Sequence, residues 1–384
     1  GIAYNFNSNY AHRVYHGITK GKFSTSLMIH QHLAINGVLP PFVGENDPLA
    51  QSILAREEKA LLAMPENLAN LPRSQLYLKP FNLVGLEALR GLFTESEASM
   101  SLLTTTLNTL DLPKLASLVD ELSLTGKGLV MTMGKGGVGK TAVAASVAVS
   151  LAKRGHKVHL TTSDPAAHLS YTLDGSIPNL QVSRIDPKVE TERYRRFVLE
   201  NQGKGLDAEG LAVLKEDLRS PCTEEIAVFQ AFSRIIKEAD DHFVIMDTAP
   251  TGHTLLLLDA TGAYHREMVR QMGQTHDHVM TPMMQLQDPE KTKVIIVTLA
   301  ETTPVLEAAN LQQDLRRAEI EPWAWVINSS LAAAKPSSPF LVTRASRELP
   351  LINDVTEQFA KRIALTPLQN EEPVGAALLA KMAG

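Results

Sequence analysis

The sequence predicts an α/β protein with a mainly parallel sheet flanked by helices. From Gly128 onward, short runs rich in valine, isoleucine and leucine alternate with longer amphipathic stretches. The short runs are apolar at odd and even positions alike, which is typical of strands buried on both faces. A glycine-rich segment joins the first of these strands to the first helix. Strands that alternate with helices in this way indicate a parallel sheet with crossover helices.

The predicted elements are six strands with three well-marked helices between them. Gly155 follows a lysine and an arginine, which is a favourable end for the first helix because cations stabilise the negative end of a helix dipole. The predicted strands are Leu129–Met133, Lys157–Thr162, Phe243–Asp247, Lys293–Thr298, Trp323–Asn328 and Arg362–Thr366. The predicted helices are Thr141–Arg154, Thr223–Ala239 and Pro304–Ala318.

Composition narrows the class of protein. A chain of 384 residues with 44% apolar and 21% charged residues has the balance of a folded globular protein and is long enough for two domains. The net charge of −5 gives no support for nucleic acid as a partner. Apolar runs such as Leu255–Leu258 are far shorter than the ~20 residues that cross a bilayer. The single cysteine, Cys222, cannot form an internal disulfide, so we expect a reducing, cytoplasmic location.

Two short segments of the first hundred residues recur near the end of the chain. The separation between the matched asparagine and glycine is 49 residues in one copy and 47 in the other. Two matches in the same order indicate an internal repeat. The first pair is Leu33–Leu39 with Trp325–Leu331; the second is Leu78–Phe81 and Val84–Gly85 with Leu365–Leu368 and Val374–Gly375.

The repeat predicts a division of the chain. Residues 1–93 are expected to be the carboxyl-terminal remnant of a first nucleotide-binding half whose front part is absent, with residues 1–32 unassigned. Residues 94–127 are expected to be a linker with one helical stretch near Leu115–Leu122. Residues 128–384 are expected to form a complete second domain.

A phosphate-binding loop is predicted at Gly134–Thr141. The segment fits the G-x-x-x-x-G-K-[ST] pattern between a strand and a helix, so its backbone N–H groups and the helix amino terminus can surround phosphate oxygens. Lys140 is expected to bind the β and γ phosphates of ATP, and the Thr141 hydroxyl to ligate Mg²⁺. The alternative is a glycine-rich turn that binds nothing. The cradle would consist of Gly134, Gly136, Gly137, Val138 and Gly139.

Lys135 makes this loop resemble a deviant form of the motif. A second lysine directly after the first glycine is typical of the MinD-like and nitrogenase-iron-protein-like ATPases. That resemblance implies that Lys135 reaches a γ-phosphate across a dimer or pseudo-dimer interface, and so acts catalytically at the facing site. The alternative is a solvated lysine in a loop.

Two aspartates follow predicted strands. Asp164 comes just after the second strand and Asp247 ends the third. Ligands of open parallel sheets bind at the carboxyl ends of strands, where a phosphoryl-transfer site needs one group to orient water and another to hold Mg²⁺. Each aspartate could also be only a helix cap or a turn residue.

These segments together resemble the arsenite/antimonite-transporting ATPase family (ArsA). The resemblance extends from about Leu33 to the carboxyl end and is most specific between Gly128 and Leu258. Members of that family contain two homologous halves joined by a linker. The segments that carry the resemblance are Gly134–Thr141, Asp164–His168, Asp247–Leu258 and Ser220–Ala227.

The resemblance implies roles for residues of this chain. Asp164 would orient the attacking water, Asp247 would hold Mg²⁺ through water, and Asn328 would contact adenine. Pro367 and Leu368 would line the base pocket.

The family also implies a process and partners. ATP hydrolysis would drive arsenite or antimonite extrusion through an integral-membrane efflux protein, with the chain peripherally associated with the inner face of the cell membrane. The paired ATP site would need the missing first half or a second copy of the chain. A metallochaperone that delivers the metalloid is a further candidate partner.

Cys222 lies near the start of a predicted helix, where the helix dipole favours the thiolate, a soft ligand suited to trivalent arsenic or antimony. Without the resemblance, a lone cysteine is more often a small buried apolar residue. The family implies that Cys222, Ser220 and His253 form this half's share of a metalloid site. The family's site takes thiols from both halves, and this chain contains one cysteine in total.

Two other functions remain open from the sequence. The related ATPase that targets tail-anchored proteins to membranes has a metal-bridged dimer that needs a Cys-x-x-Cys pair, and this sequence has none. The other alternative is a truncated module that binds nucleotide without turning it over, since the chain contains one phosphate-loop motif.

Overall fold

The computed structural model describes residues 2–5, 32–81, 85–91, 111–163, 177–248 and 281–383. The described strands form two parallel sheets, one of three strands in the order β1-β2-β3 and one of seven in the order β10-β9-β8-β4-β7-β5-β6. The strands are β1 (Ile2–Asn5), β2 (Leu33–Val38), β3 (Arg73–Tyr77), β4 (Gly128–Met133), β5 (Val158–Thr162), β6 (Leu180–Arg184), β7 (Phe243–Asp247), β8 (Thr292–Thr298), β9 (Ala324–Ser330) and β10 (Ile363–Pro367).

The six predicted strands are confirmed and all belong to the large sheet, which also contains β6 at one edge. Every pairing in this sheet is parallel. The chain moves from β4 outward to β5 and β6, returns to β7, and then continues on the other side of β4 with β8. The winding therefore reverses next to β4, and its carboxyl end is the place where open α/β sheets bind ligands.

The large sheet has a hydrophobic core on each face because its strands alternate side chains between the two layers. Leu129 and Met131 of β4 pack into one layer with Phe232. Val130 packs into the opposite layer with Val147. The sequence pattern of apolar residues at both parities is explained by this double burial.

Helices cover both faces of the sheet, and the three predicted helices are confirmed to within two residues at each end. The described helices are α1 (Pro48–Leu62), α2 (Glu66–Ala69), α3 (Leu86–Arg90), α4 (Leu115–Thr125), α5 (Lys140–Lys153), α6 (Pro187–Gln202), α7 (Ala208–Asp217), α8 (Pro221–Glu238), α9 (Pro282–Gln287), α10 (Thr302–Arg317), α11 (Leu331–Ala334), α12 (Pro339–Asp354) and α13 (Ala376–Ala383). Among the described helices, none combines the length and the apolar character needed to span a bilayer.

Helix α4, which the sequence places in a linker, packs into the core of the large sheet. Its side chains Leu115, Leu118 and Leu122 are at most 2% exposed and lie in the same apolar layer as α5. The residue before the helix, Lys114, forms a parallel bridge with Leu365 of β10. The described end of the predicted linker is thus joined to the larger domain, and the domain division itself stays a prediction.

The repeated segments share backbone geometry. In β2 and β9 the pairing register shifts beside a residue with positive φ, Gly37 (80°) and Ser329 (54°). After each shift, the residue that follows the neighbouring strand donates its N–H to the bulged strand. Leu78, after β3, donates to the carbonyl oxygen of Val38 at 2.7 Å, and Leu368, after β10, donates to that of Ser330 at 3.0 Å. Leu78 therefore corresponds to Leu368.

That correspondence corrects the sequence alignment, in which Leu78 matches Leu365. The sequence alignment is wrong by three residues because identical residue types match at that offset, whereas the backbone hydrogen bonds pair Leu78 with Leu368. With the corrected match, one constant separation also relates Gly85 to Gly375, whose φ angles are 87° and 85°. Both glycines accept the N–H of a leucine four residues on, at 3.1 Å, at the start of α3 and α13.

A glutamate follows the bulge in both copies; Glu57 is buried and Glu348 half-buried. Glu57 of α1 accepts the N–H of Leu39 at 3.0 Å, and Glu348 of α12 accepts the N–H of Leu331 at 3.0 Å. Burial raises the pKa of Glu57 to about 7 and also raises the pKa of Glu348. The equivalence therefore includes side-chain contacts as well as the backbone.

The two copies also contact each other. Asp47 accepts hydrogen bonds at 2.8 Å from the N–H groups of Ser337 and Ser338. Arg344 donates to the carbonyl oxygen of Lys79 at 2.6 Å. An apolar cluster that includes Leu39, Val43, Leu49, Ala50, Phe340 and Leu341 lies between them.

Candidate functional site

The predicted phosphate loop lies between β4 and α5, at the carboxyl end of a central strand. Gly134 has a φ of 150° and Gly139 a φ of 91°, both in the region that disfavours other residues. A Cβ at Gly134 would lie 2.3 Å from the carbonyl oxygen of Val297 on β8. The first glycine of the motif is thus required by close packing of the loop against the neighbouring strand.

Asn328 supports the loop from β9. Its Nδ2 donates to the carbonyl oxygen of Val138 at 2.9 Å, while its Oδ1 accepts the hydroxyl of Thr366 at 2.6 Å. A Cβ at Gly139 would lie 2.1 Å from this Nδ2, so the last glycine of the loop makes room for the asparagine. The adenine contact proposed for Asn328 stays a prediction, and its observed contacts fix the shape of the loop.

Lys140 begins α5 and is directed into the loop. Its side chain is buried at 5% exposure, and its Nζ donates to the carbonyl oxygen of Lys135 at 3.0 Å. An ammonium group at this position provides a positive charge beside the helix amino terminus, where an anionic phosphate would bind.

Lys135 lies on the outer side of the loop. Its Nζ is 2.9 Å from Oε1 of Glu307 on α10, and the two side chains are 40% and 42% exposed. An ion pair this exposed contributes about 0 to 1 kcal/mol, so it is readily exchanged for another partner. The role of Lys135 at a facing site stays a prediction.

Thr141 and Asp247, the predicted Mg²⁺ ligands, are in direct contact. The Thr141 hydroxyl donates to Oδ2 of Asp247 at 2.7 Å, and the Thr162 hydroxyl donates to the same oxygen at 3.3 Å. Asp247 is fully buried at the end of β7. A hydroxyl and a carboxylate are hard oxygen donors of the kind that Mg²⁺ prefers, so this pair fits the predicted ion.

Thr162 is a site residue that the sequence analysis missed. It ends a predicted strand, and the rule that ligands meet strand carboxyl ends could have indicated it. Its neighbour Ser163 donates its N–H to the carbonyl oxygen of Asp247 at 3.0 Å. Asp164 follows directly and lies outside the described residues, so its predicted role in orienting water is untested.

A surface pocket of about 370 Å³ lies where β10 and the segment after it meet α11 and α13. It is lined by the predicted base-pocket residues Pro367 and Leu368, together with Ala333, Ala334 and Leu378. Since Pro367 follows Thr366, the pocket is connected to the loop through the hydrogen bonds of Asn328.

Glu348 anchors one wall of this pocket. Its carboxylate accepts the N–H of Ala332 at 3.0 Å and the hydroxyl of Ser330 at 2.7 Å, which fixes the start of α11. Burial raises the pKa of Glu348, while these hydrogen bonds and the nearby Arg344 act in the opposite direction. Burial likewise lowers the pKa of Arg344.

The predicted metalloid ligands are only partly described. Cys222 lies in the first turn of α8, directly after Pro221, as the sequence predicts. Ser220 is half-buried just before the helix. His253 lies outside the described residues, so the grouping of these three side chains stays a prediction.

Comparison with known proteins decides the family. The profile of the family described as anion-transporting ATPase matches residues 127–285 and 256–384. The chain belongs to the anion-transporting ATPase family. The resemblance to the arsenite/antimonite-transporting ATPases, inferred from the motifs, is thereby confirmed.

Members of this family with curated names are similar over most of the chain. An arsenical pump-driving ATPase of Escherichia coli is 60% identical over 356 residues, which cover 92% of this chain and 61% of that protein. An arsenical pump-driving ATPase of Acidiphilium multivorum is 60% identical over 347 residues, covering 90% of this chain and 59% of that protein. The chain thus spans about three fifths of the length of these relatives.

Proposed function

We propose that the chain binds Mg·ATP at Gly134–Thr141 and hydrolyses it as the ATPase of an arsenite or antimonite efflux system. The observation that carries this proposal is the contact of Thr141 with Asp247 at 2.7 Å, beside the buried Lys140. A point charge, a hydroxyl and a carboxylate at one strand edge are the groups that phosphoryl transfer uses. Similarity to the arsenical pump-driving ATPases of Escherichia coli and Acidiphilium multivorum supports a role in arsenical efflux.

The residues have distinct tasks in this proposal. Lys140 and the loop amides bind the phosphates, and Thr141 and Asp247 hold Mg²⁺, which neutralises negative charge on the β and γ phosphates when bound. Asp164 orients the water that attacks the γ-phosphorus while the bond to the β–γ bridging oxygen breaks. Pro367 and Leu368 cover the base, with Asn328 at its edge.

We further propose that residues 33–91 are the carboxyl-terminal part of a domain homologous to residues 128–384. The shared bulge, the hydrogen bond that follows it, the turn glycine and the glutamate that accepts a backbone N–H support this reading. Lys135 then serves a nucleotide held by a facing domain, supplied by a longer form of the protein or by a second copy.

The metalloid would bind at Ser220, Cys222 and His253 and stimulate hydrolysis. The hydrolytic cycle would act on an integral-membrane efflux protein, from a cytoplasmic position at the inner face of the membrane. A metallochaperone is a candidate donor of the metalloid.

Nucleotide binding is tested by calorimetry with Mg·ATP and Lys140→Ala. We expect binding to be lost, because the buried ammonium is removed from the loop. Lys153→Ala is the matched control: Lys153 lies on the same helix, is exposed, and its Nζ donates to the carbonyl oxygen of Ala376 at 3.4 Å. Equal affinity of the Lys140→Ala variant and the parent chain would remove the phosphate-loop assignment.

Turnover separates the functions. The pump ATPase is supported if antimonite stimulates single-turnover ATP hydrolysis. Cys222→Ser should then lose this stimulation while its nucleotide affinity stays unchanged. Tight binding without turnover supports a nucleotide-binding module instead. Binding of a hydrophobic helix supports membrane targeting. If antimonite still stimulates hydrolysis in Cys222→Ser, Cys222 is a small apolar packing residue and not a metalloid ligand.

A further inference from the structure

A cluster of two histidines and a glutamate lies at the amino-terminal ends of strands of the large sheet, whereas the phosphate loop lies at the carboxyl end of β4. His159 is the second residue of β5, His242 directly precedes β7, and Glu238 ends α8. One ligand atom from each residue lies within 4.8 Å of the other two. The length of β7, five residues or roughly 16 Å of extended chain, separates His242 from Asp247.

The cluster is buried yet accessible from one side. His159 and His242 are 4% and 8% exposed, whereas the Glu238 side chain is 36% exposed. An ion can therefore enter past the carboxylate and reach imidazoles that are shielded from water.

His242 lacks a hydrogen bond in this setting. Neither of its ring nitrogens has a hydrogen-bond partner within the described part of the chain. Its Nε2 lies 3.5 Å from Oε2 of Glu238, within ion-pair range but without a hydrogen bond. A buried polar ring left unsatisfied destabilises a fold unless something else binds it.

His159 is oriented toward Glu238 by a second set of contacts. Its Nε2 lies 2.7 Å from the hydroxyl oxygen of Ser183, which donates onward to Thr161 at 2.9 Å. When Nε2 carries its proton toward Ser183, Nδ1 presents a lone pair to Oε2 of Glu238 at 2.7 Å. In this tautomer both atoms are available to a metal ion, whereas in the other tautomer Nδ1–H donates to the carboxylate.

We propose that His159, Glu238 and His242 form a binding site for a divalent metal of the zinc class. Two imidazoles and one carboxylate are a ligand set that Zn²⁺ takes. With bonds of about 2.0 Å, tetrahedral geometry separates ligand atoms by about 3.3 Å. The observed separations of 2.7 Å and 3.5 Å lie on either side of that value, so small side-chain shifts complete the geometry.

The surroundings agree with this assignment. Ser183 acts as an outer partner that fixes the ring of His159, a common feature of metal-bound histidines. An ion here would attach the end of α8, whose first turn carries Cys222, to β5 and β7.

The test is Zn²⁺ binding to the 384-residue chain in competition with a chromophoric chelator. We expect one Zn²⁺ site to be lost in His242→Gln and in Glu238→Gln. His156→Gln is the matched control, since His156 is a half-buried histidine that contacts Ser123 at 2.7 Å and is not one of the three clustered residues. Ser183→Ala should weaken binding by about 10- to 100-fold.

Co²⁺ provides a second readout, because its visible absorption reports four-coordination by nitrogen and oxygen ligands. Zn²⁺ should also raise the melting temperature of the parent chain and of His156→Gln but not of Glu238→Gln. Glu238 is partly exposed, so its substitution keeps the test usable if His242→Gln fails to fold. Equal Zn²⁺ stoichiometry and affinity in the parent, Glu238→Gln and His156→Gln would overturn the proposal and leave a cluster that binds no metal.

Discussion

Removal of the Asp47 carboxylate should weaken the contact between the two copies of the repeat. Asp47 is 1% exposed and divides its oxygens between two tasks. Its Oδ1 caps α1 by accepting the N–H groups of Leu49 at 2.8 Å and Ala50 at 3.2 Å. Its Oδ2 accepts the N–H groups of Ser337 and Ser338 in the other copy, each at 2.8 Å.

The magnitude follows from these four contacts. Loss of a helix cap costs about 1 kcal/mol. Each hydrogen bond to a charged acceptor contributes about 1.5 to 3 kcal/mol, and Ser338 is buried, so its N–H would lack a partner. Water can reach the exposed Ser337, which reduces the total. We therefore expect Asp47→Ala to lower the free energy of unfolding of this contact by about 3 to 5 kcal/mol.

Hydrogen exchange followed by mass spectrometry measures this effect locally. Amides of α1 and of the start of α12 should exchange at least about 10²-fold faster in Asp47→Ala, while amides of β4 and α5 keep their protection. Asp47→Ser keeps the cap but not the second oxygen, so it should recover about 1 kcal/mol. Ser337→Ala, which removes only an exposed hydroxyl contact, is the matched control. Unchanged exchange at α1 and α12 in Asp47→Ala would refute the reasoning.

Three further substitutions test other parts of the chain. Gly139→Ala should weaken Mg·ATP binding measured by calorimetry, because its Cβ would lie 2.1 Å from the Asn328 side chain. Gly155→Ala is the control, since Gly155 has the same φ of 91° but no atom near its Cβ position. It should lower the free energy of unfolding in denaturant by only about 1 kcal/mol. Because the pKa of Glu57 is raised from 4.5 to about 7, the native state binds a proton that the unfolded state has lost, and the free energy of unfolding falls as pH rises between these two values. Glu57→Gln should remove this fall. Identical pH profiles of unfolding for the parent chain and Glu57→Gln would contradict the raised pKa. Lys135→Ala should change the free energy of unfolding by less than about 1 kcal/mol, because the ion pair of Lys135 is exposed. The rate of ATP hydrolysis should drop. An unchanged rate would show that Lys135 is a surface residue without a catalytic role.

The strands of the large sheet could be predicted because each carries its own signal. Strands buried on both faces are apolar at every position, and glycines or charged residues mark their ends. The edge strand β6 gives no such signal, since Val182 is 43% exposed and its neighbours are polar. Helix α6 was missed for a similar reason: only Thr191 and Val198 are buried along it. Its Asp186–Pro187 start, a cap followed by a proline, was the available evidence.

The candidate site divides in the same way. The phosphate loop and Asp247 could be predicted because a local pattern and a strand end mark them. The contact of Asn328 with Val138 joins residues 190 positions apart, and no local pattern records such a pairing. The cluster of His159, Glu238 and His242 also depends on packing, because three separate elements meet only in the fold.

The repeat shows what sequence identity and backbone geometry each contribute. Letter matching found the right strands but placed Leu78 against Leu365, because short apolar segments match at several offsets. The backbone decides between offsets, since a left-handed residue and the hydrogen bond that follows it occur at one register only. Gly37 and Ser329 share that conformation with different side chains, so the bulge is a feature of the fold and not of one residue type. A bulge that occurs twice, each time followed by a glutamate that accepts a backbone N–H, supports the proposal that the chain contains parts of two related domains, and Asp47 joins the two copies.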